Sequence, residues 1–390
     1  MTNKNVCILD IGSSKINVLI GERGLNNTFN IKGTGEVDYS GYMEGKFLNE
    51  NEIPSIVSGA ITKAETNSGV RVQKIYVGVP AEFTYCITKE AELNFGRRRR
   101  VTEEDVQELS KVAGRDIVVN EKTIINNSPV YFCLEDNKKC MDPVNSISSK
   151  LTGNIGFILA DNSIIDLFDK ILKNLDFMEV EYISSVLAES LYLLDPEVRD
   201  SGAVLIDCGY ISTFVAVVKG DALLYLSAFS IGGGHIAGDL CQILNLSFAQ
   251  AESLKRKVVL SLDATDHDFY ELNVNGTITP FSAKLTNEIV SARVEMLGNM
   301  INKCLLDYKP NNKNYLPMFI TGGGICYLKG GKEYLSSIIG SNLEIVVPPV
   351  PQMNRPHYSS VLAILDVALK KEKENKTNIF KLIKNKLFNK

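Results

Sequence analysis

Two stretches of the chain carry the same alternation of apolar and polar positions. Val6-Cys7-Ile8-Leu9-Asp10-Ile11-Gly12 returns as Val204-Leu205-Ile206-Asp207-Cys208-Gly209, and Asp10 to Asp207 and Gly12 to Gly209 are both 197 residues apart. A second run follows in each copy, Ile16-x-Val18-x-Ile20 and Val215-x-Val217, and then a turn, Glu22-Arg23-Gly24 and Lys219-Gly220-Asp221. A third run ends in glycine, at Gly33-x-Gly35 and at Gly232-Gly233-Gly234. Short, nearly all-apolar runs are the pattern of strands covered on both faces, so each copy predicts three strands joined by tight turns. Helical spacing occurs over Ile53 to Ser68 and Ile164 to Leu175, and Lys74 to Pro80 reads as a further strand. A repeat of this kind predicts two similar α/β domains facing one another.

Residues 84–165 have no counterpart in the repeat. Strand patterns at Thr84 to Phe95, Thr123-Ile124-Ile125, Val130-Tyr131-Phe132 and Gly156-Phe157-Ile158 flank a helix running to about Gly114. Thr102 is placed to cap that helix, with Asp105 at the capping-box position. The stretch reads as a small α+β module. Its run Arg97-Arg98-Arg99-Arg100 suits an acidic partner or a lipid headgroup, or else a solvated turn beside Glu103, Glu104 and Asp105.

Beyond Leu369 the pattern changes again. Residues 370–378 are polar and charged, a flexible linker by composition. In 379–390, helical spacing puts Ile379, Phe380, Ile383 and Leu387 on one arc with Leu382 at its edge. Lys381 and Lys384 lie opposite, and Phe388 falls outside the arc. A basic amphipathic helix of this kind lies in the interface of an anionic bilayer.

Composition narrows the classes. With 390 residues, two or more cores are expected. Lys plus Arg number 42 against 46 Asp plus Glu, which argues against a nucleic-acid partner, whose phosphates demand a basic surface. The 8 cysteines include no CxxC pair and read as reduced thiols, not a disulfide framework or zinc site. His235, His267 and His357 have no metal-ligand spacing, no apolar run is long enough to span a membrane, and Met-Thr-Asn-Lys-Asn carries no signal-peptide pattern. Neither a Gly-x-Ser-x-Gly elbow nor a Walker loop is present.

The paired Asp-x-Gly turns are the chemistry to explain. A carboxylate at the end of a buried strand can hold the hydration shell of Mg²⁺, and small residues after it let backbone N–H groups approach phosphate. One such turn is an ordinary hairpin, whereas two in register would clasp phosphates from opposite sides of a cleft. Pro317 to Ile320 reads as a buried strand running through Thr321 into Gly322-Gly323-Gly324 and then helix, where a purine or ribose could lie against backbone. Glu252 and Lys255 stand one helical turn apart, able to hold ribose hydroxyls or simply to pair with each other.

Leu9-Asp10-Ile11-Gly12-Ser13-Ser14-Lys15, Val101 to Val106, Ile231 to Ile236 with Asp239, Glu252 with Lys255, and Asn354-Arg355-Pro356-His357-Tyr358 together resemble, in that order, the actin-like ATPase superfamily. Within it they are most similar to the bacterial cell-division family FtsA, over nearly the whole chain. The resemblance implies a duplicated, ribonuclease H-like two-domain α/β fold with an inserted α+β subdomain and a C-terminal amphipathic helix. It divides the chain into a first half (1–83, completed by about 166–199 and 355–369), an insert (84–165), a second half (200–236, completed by about 310–354), a small subdomain (237–309), a linker (370–378) and a membrane helix (379–390). It implies ATP with Mg²⁺ held through water by Asp10 and Asp207. The rest of the nucleotide set would be Gly12, Ser13, Ser14, Lys15, Gly209, Ser212, Thr213, Gly232, Gly233, Gly234, Glu252, Lys255, Gly322, Gly323 and Gly324. The implied partners are FtsZ, docking within 237–309, further copies of the chain in a filament, other division proteins on the insert, and an anionic membrane at the division site on the cytoplasmic face.

The chain departs from the family pattern in its second phosphate turn, Asp207-Cys208-Gly209-Tyr210-Ile211-Ser212-Thr213-Phe214. Tyr210 and Ile211 are bulky there, and Phe214 replaces an acidic group. Ser185 takes the position that would orient the attacking water, with Glu189 one turn on as a substitute. Hydrolysis is expected to be slow or absent. Two other classes share the core: a pilus-assembly adaptor resembling PilM, and a sugar or acetate kinase, which would need a catalytic Asp facing a sugar pocket.

Overall fold

A computed structural model describes residues 5–24, 28–308 and 316–388, with side chains as far as 373. Among these residues the duplication is visible strand by strand. In the first half β1 (Val6–Ile11), β2 (Lys15–Arg23) and β3 (Phe29–Asp38) form an antiparallel meander. After the small hairpin β4 (Tyr42–Met43) and β5 (Lys46–Phe47) comes α1 (Ile53–Ser68), which returns the chain to β6 (Lys74–Val79), parallel to β1.

The insert follows as its own layer. β7 (Thr84–Arg100), α2 (Glu103–Gly114), β8 (Lys122–Cys133), β9 (Lys139–Cys140) and β10 (Ile147–Asp161) make a sheet of order β7-β10-β8-β9 around Leu109, Phe132, Leu151 and Phe157. Thr102 and Asp105 close the capping box of α2. Helix α3 (Asn162–Asn174) leads back to β11 (Glu179–Ser184), which completes the first sheet as β11-β6-β1-β2-β3.

Two short helices, α4 (Ser185–Leu193) and α5 (Pro196–Ser201), connect the halves. The second meander is β12 (Ala203–Cys208), β13 (Thr213–Lys219) and β14 (Ala222–Phe229). Helices α6 (Gly233–Leu244) and α7 (Phe248–Lys255), the hairpin β15 (Phe269–Val274) and β16 (Thr277–Ser282), and α8 (Ala283–Asp307) come next. With β17 (Met318–Thr321), α9 (Gly331–Ile339) and β18 (Leu343–Ile345) the second sheet reads β14-β13-β12-β17-β18, the same order of pairing as the first. The last helix, α10 (Ser359–Phe388), packs back on the first half.

Burial on both faces explains why β1 and β12 are apolar throughout. Cys7, Leu9 and Ile11 enter the core under α1 and α3, whereas Val6 and Ile8 enter the core under α10. Likewise Val204, Ile206 and Cys208 face α6 to α9, and Ala203 and Leu205 face α4 beside Val186 and Leu187. A strand's side chains alternate between faces, so Asp10 falls on the α10 side and Asp207 on the α4 side. The two aspartates therefore reach the same region from different packing layers.

Several expectations from the pattern are corrected. Gly33 and Gly35 lie inside β3, where they let the backbone of α1 at Ala60 and Ala64 come close; Gly232 to Gly234 instead open α6, so the two glycine runs are not equivalent. Between Gly322 and α9 the chain makes turns before any helix forms. The arginine run is the end of strand β7 and is mostly engaged within the insert: Arg99 grips Asp105 at 2.6 and 2.7 Å and lies over the Phe95 ring, and Arg98 reaches Glu135 at 2.7 Å. The linker expected at 370–378 is helical, because α10 continues through it. Lys371 pairs with Glu181, and Glu372 with Lys74 at 2.9 Å and the Tyr76 hydroxyl at 2.7 Å, which tie its first turn to the sheet, and its lysines and glutamates are good helix formers. The side chains expected to form the membrane face (Ile379, Phe380, Lys381, Leu382, Ile383, Lys384, Leu387 and Phe388) lie outside the described residues.

If α10 is part of the first-half core, Leu365→Ala, which empties a fully buried site beneath it, should lower stability by about 2–5 kcal/mol in a chemical denaturation series.

Candidate functional site

Asp10 is the penultimate residue of β1 and Asp207 that of β12, and both open onto one cleft of about 1180 Å³ between the halves. Identical turns follow them. The Gly12 N–H donates to the Lys15 carbonyl and the Gly209 N–H to the Ser212 carbonyl, each at 2.9 Å. The tips touch across the cleft, where the Ile211 N–H donates to Ser13 Oγ at 3.0 Å. Tyr39 steadies the first turn by donating its hydroxyl to the Gly12 carbonyl at 2.8 Å.

The floor of the cleft is acidic and largely buried. Ser360 Oγ donates to Asp10 Oδ1 at 2.7 Å, and Asn17, opposite Asp10 across the β1–β2 ladder, reaches Oδ2 at 3.4 Å. Burial raises the pKa of Asp10, with those two hydrogen bonds opposing the shift. Asp207 is pushed up to about 6, chiefly by burial, with the charge of Asp10 adding to it and a hydrogen bond with Glu189 opposing it. Glu189, one turn into α4, is 1% exposed and is driven well above the carboxylate range by burial and then by the charge of Asp207. Its burial beside two further carboxyl groups favours the protonated form of Glu189. Glu189 Oε2 and Ser185 Oγ are buried there without a hydrogen-bond partner.

Most of the residues singled out from sequence line this cleft: Gly12, Ser13, Ser14, Lys15, Ser185, Glu189, Gly209, Ser212, Glu252, Lys255, Gly322, Gly323 and Gly324 join the two aspartates. Their individual roles differ from a simple cradle. Lys15 turns its amine to Glu36 and to Asp38 at 3.5 Å. Lys255 bonds Glu252 at 2.7 Å and the Gly233 carbonyl at 2.9 Å, so the pair is both an ion pair and part of the wall. Gly322 has φ +88, and a Cβ there would overlap Asp207 Oδ1 and the Cys208 carbonyl. Four expected residues stand behind the wall. Thr213 donates its hydroxyl to the Ile231 carbonyl at 2.6 Å; Gly233 and Gly234 donate N–H groups to Gly209 and Tyr210, and Gly232 donates to His235 Nδ1. They shape the second turn from beneath.

Sequence reading missed Ser360, Asn17, Tyr39, Tyr327 and the cleft-lining Arg355 and His357 as parts of the site. Asn17 did leave a signal: it is a polar residue inside an apolar strand, facing the aspartate across the hairpin. Ser360 left none, since 350 residues separate it from its partner.

A family model described as "Cell division protein FtsA" matches residues 204–363. The cell-division protein FtsA of Enterococcus hirae is 24% identical over 364 residues, covering 92% of this chain and 81% of that protein. That of Bacillus subtilis is 23% identical over 375 residues, covering 94% and 84%. The chain is thus similar to FtsA proteins over most of its length. Among solved structures, the PilM–PilN type IV pilus biogenesis complex aligns with TM-score 0.61 at 15% identity, over 93% of this chain and 98% of that one. MreB5 of Spiroplasma citri bound to AMPPNP aligns with TM-score 0.56 at 11% identity, over 97% and 99%. The fold of this FtsA-like chain is therefore the duplicated actin-like fold.

The charge state of the cleft floor has a measurable consequence. Glu189 holds its proton in the folded state well above its unfolded pKa of 4.5, so its contribution is full below that value and is lost as pH rises through the folded pKa. Glu189→Gln keeps the shape of the protonated acid. Thermal melts from about pH 5 to about pH 9 should show the variant at least as stable as the parent, with an advantage that widens as pH rises.

Proposed function

We propose that this chain is an actin-like, ATP-binding, polymerising protein that tethers the FtsZ division ring to the cytoplasmic face of the cell membrane and recruits other division proteins. The observation that carries this reading is the pair of duplicated Asp-x-Gly turns facing one cleft, in a chain whose relatives are cell-division proteins.

The residues present fit a magnesium nucleotide. Buried carboxyl groups crowd at the strand ends, and two buried polar atoms, Ser185 Oγ and Glu189 Oε2, lack partners. Asp10 and Asp207 would hold the ion through its water shell. A bound Mg²⁺ would supply the positive charge that offsets the mutual repulsion of these aspartates. Ser13, Ser14, Gly209 and Ser212 would face the phosphates, Glu252 and Lys255 the ribose, and Gly322 to Gly324 the flat side of the base.

Little in the cleft suits it to hydrolysis. Ser185 offers a hydroxyl where a carboxylate or amide would hold water, Glu189 is protonated, and Phe214 replaces an acid opposite Asp207. The nucleotide thus serves as a conformational ligand between two halves, with turnover slow or absent.

Membrane attachment falls to 379–390, on the continuation of α10. Among the described residues no helix is long and apolar enough to cross a membrane, and the proposal is for a helix lying in the interface. Multiple copies in a filament would strengthen a tail that alone binds reversibly.

The full chain should sediment with vesicles containing anionic phospholipid, and Phe380→Glu should release most of it; equal sedimentation of the two proteins defeats the anchor. In cells, a fluorescent fusion should gather at midcell only while FtsZ rings are present.

A further inference from the structure

As far as Leu369, the inner stripe of α10 (Leu362, Leu365 and Leu369) is buried against the first sheet beside Val6, Ile8 and Tyr76. Glu372 takes the next place in that stripe and meets Lys74 at 2.9 Å and the Tyr76 hydroxyl at 2.7 Å. Lys74 also reaches Glu181 at 2.6 Å and Glu179 at 3.3 Å, and Lys371 reaches Glu181 at 3.6 Å. Lys74 and Glu179 are the first residues of β6 and β11, so this knot of charges lies where the sheet ends. The helix runs on beyond it to Phe388.

The stripe itself continues into the tail. Steps of three and four from Leu362 through 365, 369 and 372 lead to positions 376, 379, 383 and 387. The 25 residues from 362 to 387, at about 100° each, return the helix to within about 20° of its starting direction. In an unbroken helix, the arc that spacing gives to Ile379, Phe380, Ile383 and Leu387 therefore falls on the side that α10 turns to the first half. A bilayer laid against that side would run into the first half, because the sheet stands on the same side of the helix axis.

We propose that the unbroken α10 is the held state of the anchor, and that the membrane is engaged only once residues 373–378 unwind and let the tail turn over. This rests on the reading of 379–390 as the membrane segment and adds what regulates it. The knot around Lys74 is the hold. Asn375, Thr377 and Asn378 are weak helix formers, and a helix that outruns its tertiary contacts is marginal in water. Continuation through them depends on the turn that Lys74, Tyr76 and Glu181 fix in place. Copies kept in the unbroken form do not bind, so the apparent membrane affinity is reduced in proportion to the fraction released.

Sedimentation of the full chain with vesicles containing anionic phospholipid reads that fraction, with Phe380→Glu as the unbound reference. Asn375→Pro, which breaks the helix without altering charge, should bind at least about fivefold more tightly than the parent. Asn375→Ala, Thr377→Ala and Asn378→Ala made together strengthen the helix and should weaken binding about threefold, although they add apolar surface. Lys74→Ala should tighten binding about threefold, in spite of the lost positive charge. Circular dichroism melts establish that each variant is folded, and the two linker variants carry the test if Lys74→Ala is not. In hydrogen exchange, the amides of 373–378 in the parent should lose protection when vesicles are added. Equal or weaker binding by Asn375→Pro overturns the hold and leaves the anchor standing. So does tighter binding by the triple alanine variant, or protection of 373–378 that persists on the vesicle. Binding by none of the proteins overturns the anchor and the hold with it.

Discussion

Asp10 and Asp207 are delivered to one crevice by two strands that are buried on both faces, and two carboxyl groups withdrawn from water so close together constrain what can surround them. A carboxylate withdrawn from water must be given hydrogen bonds, a counter-charge or a proton. Asp10 receives hydrogen bonds from Ser360 and Asn17. Asp207 shares its surroundings with Glu189, whose carboxyl is pushed upward by burial and then by the charge of Asp207. Even Gly322 belongs to this arrangement, because any side chain there would strike the carboxylate.

Helix α10 makes that floor part of a larger unit. Its first turn bonds both halves: Ser360 holds Asp10, and Ser359 lies 2.6 Å from Thr321 at the end of β17. The helix then runs through the first-half core by Val361, Leu362, Ile364 and Leu365, and on past Asp366, which Arg23 and Lys370 hold at 2.9 and 2.7 Å. It continues without a break to Phe388. Other ties also join the halves. Ser230 donates to Glu82 and accepts from the Glu44 N–H, Ser13 accepts from Ile211, and Ala81, Val186 and Leu187 pack in one apolar cluster with Ala203, Leu205 and Phe214.

Legibility varied with the distance over which the physics acts. The three-strand meanders, the helix over Ile53 to Ser68 and the cap at Thr102 were readable, since alternation, helical period and capping are local and each was met by matching burial. The glycine runs misled, because glycine signals close approach without saying of what. At Gly35 the neighbour is helix α1, whereas at Gly233 it is the Gly324 backbone. The arginine run announced charge and the acids beside it; that Arg99 pairs with Asp105 came from strand β7 continuing far enough to lay the two together.

The sequence by itself determined the duplication, the all-apolar strands and the presence of an aspartate before each turn, because those follow from side-chain period and from burial on two faces. Only the tertiary structure decided which layer each aspartate faces, that Ser360 and Glu189 would be the groups to meet them, and that Ile211 would close on Ser13. Those outcomes depend on which helix covers which side of a sheet. Packing settles that across hundreds of residues of chain, at a range where no local pattern carries information.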